Sequence, residues 1–406
     1  MRSVLPNHTR PIWAEISAAR LRANFHTLQE AAGPDVAVLA VVKADAYGHG
    51  ATECAPLLAA AGATWLGVTS VEEGVAVRNA LQTRPHLAPR VLVMCGVWPR
   101  EESATIEHKL TPVVWEHYHL DLLEAEARRL GMAAGSVAVH VEIDTGMTRQ
   151  GVGPGALLDG LLSRFTAGSP LLLEGVMTHL ASTEIADDPQ NARQMRAFGA
   201  ALAQVSTAGL QPSLVHVGNT SSTDSGLVPQ RLPLLAASVG AAAMTRSGLA
   251  LYGYALPLEH GEPHLAPALQ SVMTWKTRVV SLRDVPAGTT VGYNGTFVTE
   301  GAMRLALLPV GYADGFRRGL SSSTEAPGGE VLLHGRRARI VGRVSMDLTV
   351  IDVTAIPYTS VGDEVVLIGS SGEAFAGADD QARIAGTSVY EVLCGISERV
   401  HRMVVD

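Results

Sequence analysis

Along the first two-thirds of the chain, short apolar runs alternate with helix-like stretches. "VAVLAVV" (36–42) precedes a predicted helix over 51–61, and "TWLGVT" (64–69) precedes one over 71–81. "RVLVMC" (90–95) follows, then "TPVVW" (111–115) with a helix over 120–130. "VAVHVEI" (137–143) precedes a helix near 155–164, and "LLLEGVMTH" (171–179) one near 190–207. "SLVHVGN" (213–219) and "TRSGLALYG" (245–253) close the series. Strands apolar on both faces and separated by helices predict a parallel sheet. About eight such units in roughly 250 residues fit a (β/α)8 TIM-type barrel better than an open sheet.

Near Ala266 the pattern changes. "LQSVMTWKTRVVSLRDVPAG", "MRLALLPVG", "EVLLHGRRARIVGRVSMDLTVIDV" and "GDEVVLIG" are short, strand-like and separated by turns, which predicts a mainly β second domain. The chain is therefore read as α/β, with the barrel over 12–265 and the β domain over 266–406. Residues 1–11 are left free to pack with the second domain. "GLSSSTEAPGGEV" (319–331) reads as a loop.

The 406 residues, 47% of them hydrophobic, suffice for a large core and exceed one small domain. A net charge of -8 gives no polyanion-binding surface, so no nucleic-acid partner is expected. The start, "MRSVLPNHTRPIW", lacks the apolar core of a signal peptide, and no uncharged apolar run reaches a membrane span. The expected location is the cytoplasm. Cys54, Cys95 and Cys394 have neither a disulfide framework nor zinc spacing; no metal is expected.

A barrel carries its chemistry at the C-terminal ends of its strands. The polar residues after the apolar runs are Lys43 with Tyr47, Glu142 with Arg149, His179, Asn219 with Thr220, and Arg246. Each alone has an ordinary explanation, and a lysine after a strand is commonly just a solvated loop residue. A lysine opening into a pocket can instead hold a carbonyl such as the aldehyde of pyridoxal phosphate. In "KADAYGHG" (43–50), Tyr47 then lies in reach of a phosphate, and Gly48 and Gly50 relieve crowding around the cofactor. Asp45 and His49 read as local turn and helix-start residues. "HVGNTSSTDSG" (216–226), before a helix-poor stretch, can hold a phosphate through side-chain and backbone donors. Arg246 in "TRSGLALYG" can meet a phosphate, a substrate carboxylate or a pyridine nitrogen.

Taken together these motifs resemble the bacterial, pyridoxal-phosphate-dependent alanine racemase family. "AVVKADAYGHG" (40–50) is similar to its cofactor-lysine motif. Supporting matches are "VEIDTGMTRQG" (141–151), "EGVMTHLAS" (174–182), "HVGNTSS" (216–222), "TRSGLALYG", "VGYNGTF" (291–297), "LPVGYADGFRR" (308–318), "GRVSMDLTVIDV" (342–353) and "YEVLCGISERV" (390–400). They follow the family's order over roughly residues 12 to 404.

The resemblance implies a homodimer with shared active sites, acting on a small amino acid to supply D-alanine for peptidoglycan. Lys43 and Asn219 are implied to bind the cofactor, and Tyr47, Thr220 and the backbone around Gly248 and Leu249 to contact its phosphate. Arg246 is implied at the pyridine nitrogen, with His179 beside the ring. Arg149 and the backbone near Met346 are implied for the substrate carboxylate. Tyr293 would arrive from the other subunit as second base, with Asp347 in the same wall. Tyr312, Arg318 and Arg343 would line the access corridor. Two bases are needed because racemisation removes a proton from one face and returns one to the other.

Two positions depart from the family. Glu142 stands where a carbamylated lysine is common, and is expected to brace Arg149 directly. Glu398 stands where a tyrosine is common; it is expected to turn from the phosphate and pair with Arg399 or Arg402, leaving a wider pocket. The alternative reading is a broad-specificity or serine racemase of the same fold. A barrel decarboxylase leaves Tyr293 and Arg246 without a reason. A non-catalytic cofactor binder leaves the C-terminal domain without one.

Overall fold

The computed structural model describes residues 9–82, 89–265 and 268–406. Ala266, where the sequence pattern changes, lies outside them, as do residues 1–8. The chain divides into two compact units. One comprises Ala19–Ala46 and Ala51–Gln270; the other comprises Tyr47–Gly50 and Ser271–Asp406 together with the chain up to Ala18.

The first unit is a closed barrel of eight parallel strands: Val36–Val41, Trp65–Val68, Arg90–Val93, Leu110–Val114, Val137–Glu142, Leu171–Met177, Leu214–His216 and Ala242–Ser247. It closes where the first strand pairs with the last, Leu39 opposite Arg246. Trp65–Val68 and Leu110–Val114 are buried at every position, as strands covered on both faces must be. The helix Val71–Leu81 has its predicted span, fixed by a reciprocal capping box of Ser70 and Glu73. Pro189–Thr207 begins where Asp188 caps Gln190.

The barrel interior is not wholly apolar. His140 and His216 are fully buried. A methyl group on Gly175 would lie 2.6 Å from the His140 ring, so only glycine leaves the ring its place.

Three features differ from the sequence reading. The strand Ile12–Ser17 pairs with Met273–Arg278 and His401–Val405 and so belongs to the β unit, not to the barrel. The helix Ala18–Ala32 leads into the first barrel strand. The stretch after 226, read as helix-poor, carries the helix Leu227–Ala237. Its Pro229 sits in the first turn, where no intrahelical N–H is lost, but Pro233 lies inside it.

The second unit is mainly β. A seven-stranded sheet runs in the order Arg336–Arg339, Glu330–Leu333, Glu364–Ser371, Met273–Arg278, Ile12–Ser17, His401–Val405, with Ala374–Ala376 added to Glu364–Ser371. A three-stranded sheet joins Ser281–Val285, Met303–Leu308 and Thr349–Asp352. Trp275 and Phe316 meet edge to face at 5.8 Å in its core.

Candidate active site

Lys43 leaves the end of the first barrel strand and enters an unusual turn. Ala44, Asp45, Ala46 and Tyr47 all have φ between 51° and 55°. A left-handed turn costs an L-residue about 1–2 kcal/mol, so it persists only where its surroundings hold it. Ala46 N–H donates to Val42 O at 2.9 Å. Ala44 N–H donates to Glu73 Oε1 at 2.6 Å, and Ala51 N–H to Asp45 Oδ1 at 2.8 Å. In the β unit, Arg402 donates to Gly48 O at 2.9 and 3.1 Å. A Cβ at Gly48 would lie 2.1 Å from Leu393 O, so the glycine is needed to admit that backbone. Asp45 and His49 do serve the local turn, His49 Nδ1 meeting Tyr47 O at 2.9 Å.

Arg246 lies one residue before the end of the eighth strand, almost completely buried. Its guanidinium donates to Thr178 O at 2.8 Å, His179 Nδ1 at 3.1 Å, His216 O at 3.1 Å and His216 Nδ1 at 3.3 Å. An arginine can only donate, and this fixes every tautomer beyond it. His216 accepts at Nδ1, donates from Nε2 to His140 Nδ1 at 2.8 Å, and His140 Nε2 donates to Glu174 at 3.3 Å. Glu174 ends the chain in a paired contact with Arg90. Burial lowers Arg246 to about 10, with Glu142 opposing and Arg149 assisting, so it keeps its proton at neutral pH. Burial, then the charges of Arg246, Arg149 and Lys43, bring His179 down to about 3. One neutral imidazole thus feels all three cations.

Asn219 caps the short helix Thr220–Asp224 by accepting Ser222 N–H at 3.0 Å. Thr220 Oγ1 accepts Ala250 N–H at 3.3 Å, tying that helix start to the 3-10 turn Leu249–Tyr252, which Gly248 precedes. The first N–H groups of both turns have no intrahelical acceptor.

Glu142 does not brace Arg149 by a hydrogen bond. Its Oε2 accepts from Gln150 Nε2, which also donates to Met94 O at 2.9 Å. Glu142 is buried and Arg149 exposed; a short, tethered amide reaches the carboxylate and leaves the guanidinium outside. Burial raises the Glu142 carboxyl, against the Gln150 hydrogen bond and the charges of Arg246 and Arg149.

The remaining expected residues lie in the β unit. Burial, with Tyr390 and Cys394 beside it, raises the Tyr47 phenol, so it stays a donor; its ring is 6.0 Å from that of Tyr390. Tyr293 is 69% exposed, in the turn Tyr293–Gly295. Tyr312 N–H donates to Ser345 O at 3.1 Å and Ala313 N–H to Met346 O at 3.0 Å. That pairing sets Tyr312 beside Met346, itself 53% exposed. Val344 N–H donates to Ser321 Oγ at 3.0 Å, joining the loop with Arg343 to the turn Arg318–Leu320. Asp347 accepts Arg399 at 2.7 Å.

Glu398 is exposed and pairs with neither expected arginine. Arg399 is taken by Asp347 and Asp314, and Arg402 by the carbonyls of Gly48, Ile396, Ser397 and Val400.

Glu73, Gln150 and the His216–His140–Glu174 chain were not singled out from sequence, and Arg402 was named only as a partner for Glu398. Only Glu73 carried a signal, as the last residue of the S-x-x-E box at 70–73. The two histidines sit in apolar strands and read as core.

A closed parallel barrel with a lysine after its first strand and a buried arginine on its last has the layout of an α/β-barrel enzyme. The N-terminal domain model of alanine racemase matches residues 16–256, and its C-terminal domain model residues 272–404. An alanine racemase of Syntrophobacter fumaroxidans is 38% identical over 95% of each chain. The structure of alanine racemase from Streptomyces coelicolor superposes with a TM-score of 0.86, at 33% identity over 98% of each chain. That from Bartonella henselae, with covalently bound pyridoxal phosphate, gives 0.79 at 27% identity over 97% of this chain and 99% of its own. The chain belongs to the alanine racemase family. Among the described residues, no helix is long and apolar enough to cross a membrane.

Proposed function

We propose that the chain interconverts L-alanine and D-alanine with pyridoxal phosphate, supplying D-alanine of the kind built into peptidoglycan. The pairing of the strand that leads into Lys43 with the strand that carries Arg246, whose guanidinium donates to His179 Nδ1 at 3.1 Å, carries this reading. The charges of Arg246, Arg149 and Lys43, all felt by His179, suit an anionic cofactor and a carboxylate substrate.

The residues present fit the cofactor. Lys43 offers the amine, and the turns starting at Thr220 and Leu249 offer N–H groups to a phosphate. Tyr47 keeps its phenolic proton for the same purpose. Arg246 would donate to the pyridine nitrogen. Bound there, the cofactor supplies an acceptor for the electron pair left when the α-proton departs.

The chain's own groups do the rest. Arg149 holds the substrate carboxylate. Lys43 takes or returns the proton on the face of the D isomer, and Tyr293 of the partner subunit on the face of the L isomer. The exposed apolar side chains of Tyr293, Tyr312, Met346 and Leu348 support docking of this surface on a second copy, as a homodimer with shared sites. Arg246 is brought down only to about 10 and holds its own proton, so it would donate a hydrogen bond without giving the proton up. Its partners His179 and His216 are neutral. With Arg246 set against the pyridine nitrogen, these groups would offer that nitrogen no readily released proton, which would favour prompt return of a proton to the substrate over side reactions.

The absorbance of the purified protein tests the cofactor assignment. Pyridoxal phosphate bound to a lysine gives a visible band that Lys43→Ala should abolish. A band that survives the substitution excludes Lys43 as the anchor. Glu398, exposed and unpaired among the described residues, supports a broader substrate range as the second reading. Equal turnover of serine, lysine and alanine would establish it.

A further inference from the structure

The left-handed turn after Lys43 needs holding, and on the barrel side one carboxylate holds its first peptide. Glu73 Oε1 accepts Ala44 N–H at 2.6 Å. Its Oε2 accepts Thr69 N–H at 2.8 Å, Thr69 Oγ1 at 3.0 Å and Ser70 N–H at 3.4 Å. An ordinary capping-box glutamate reaches back only to its own N-cap. Here Oε1 crosses to the neighbouring strand end, where Val42 N–H also donates to Gly67 O at 2.8 Å. The peptide so fixed is the one that follows Lys43.

We infer that Glu73 is a positioning residue for the Lys43 amine, orienting it by clamping the Lys43–Ala44 peptide. This rests on the reading of Lys43 as the cofactor-binding base. The side chain of Lys43 departs from the Cα whose following peptide Glu73 holds. Rotation of that peptide swings the amine. With φ of 51° at Ala44, a relaxed chain would leave the left-handed region, and the amine would move with it.

The four donors on Glu73 make the position unforgiving. All are N–H or O–H groups, so glutamine would turn its own NH2 against at least one of them. Aspartate is one methylene too short to span both strand ends. Ser70→Ala supplies the control. Ser70 Oγ accepts only Glu73 N–H, at 3.2 Å, so the substitution weakens the helix cap and leaves the Ala44 contact in place.

The experiment measures pyridoxal phosphate capture by the cofactor-free protein, in wild type, Glu73→Gln and Ser70→Ala. Capture is the condensation of the Lys43 amine with the aldehyde, releasing water, and is followed by absorbance. Hydrogen exchange of the Ala44 amide is measured on the same three proteins. A lost charge-assisted hydrogen bond corresponds to roughly ten- to hundredfold in an equilibrium. Glu73→Gln should slow capture about tenfold and speed Ala44 exchange at least tenfold, while Ser70→Ala changes both less than about twofold. Equal effects of the two variants, or none, overturn the inference. If Glu73→Gln does not fold, the wild type decides: Ala44 is solvent-exposed, so fast exchange of its amide means that the carboxylate does not clamp it. If wild type captures no cofactor at Lys43, the functional reading fails instead, a different result from either.

Discussion

Acidification is a sharp perturbation of this barrel, because its interior histidines cannot accept a proton cheaply. His216 is fully buried, lies against a guanidinium, and is held well below the ordinary imidazole range by burial, then by His140 and Arg246. His179 is brought down to about 3. Unfolding exposes both rings, whose ordinary value is about 6.5. Below that pH the unfolded chain binds protons that the folded chain refuses, so stability falls as pH falls. His179 loses about 1.4 kcal/mol per pH unit in this window, or about 2 kcal/mol by pH 5, and His216 adds to the loss in the same direction. Against a typical 5–15 kcal/mol this is a large part. For His179 the loss continues to about pH 3. His140 acts in the same direction, burial outweighing Glu174. Glu142 acts oppositely: its raised carboxyl contributes stability that is present at low pH and lost as pH rises through its folded value. Urea unfolding at pH 7 and pH 5, at constant ionic strength, measures the sum. Ring resonances of His179 and His216 that stay still over that range identify the source. A loss under about 1 kcal/mol, or titration of either ring near its ordinary value, would refute the reasoning.

Gly48→Ala should destabilise the protein by about 2–4 kcal/mol in chemical denaturation, since its φ is 78° and its new methyl would meet a backbone carbonyl. A near-neutral result would mean that the turn tolerates other geometries. Glu142→Gln should raise KM about three- to tenfold with little change in kcat, because it removes a nearby negative charge acting on Arg149. Wild-type activity should be indifferent to removal of carbon dioxide, the carboxyl being Glu142's own; dependence on it would contradict that role.

The barrel strands were legible because burial on both faces forces continuous apolar runs such as "VAVLAVV". The same signal could not allot Ile12–Ser17 to its sheet, since an apolar strand does not record its pairing partner. The left-handed turn was hidden for a different reason. Ala44, Ala46 and Tyr47 have no preference for positive φ, and what holds them comes from Glu73 and Arg402, far away in sequence. Catalytic residue types after strands could be read in order, but their hydrogen bonds could not. Gln150 intercepts Glu142, and Asp347 with Asp314 intercepts Arg399, through contacts that depend on side-chain reach. His140 and His216 look like core on apolar strands, and only the donor-only chemistry of Arg246 reveals a directed chain.

The central claim is that two opposed bases serve the two faces of one substrate. Solvent deuterium incorporation at Cα of each alanine isomer, measured on Tyr293→Phe, tests it most directly. The account predicts loss of interconversion, with exchange of D-alanine through Lys43 retained and exchange of L-alanine abolished. Full two-way racemisation by that variant would contradict it.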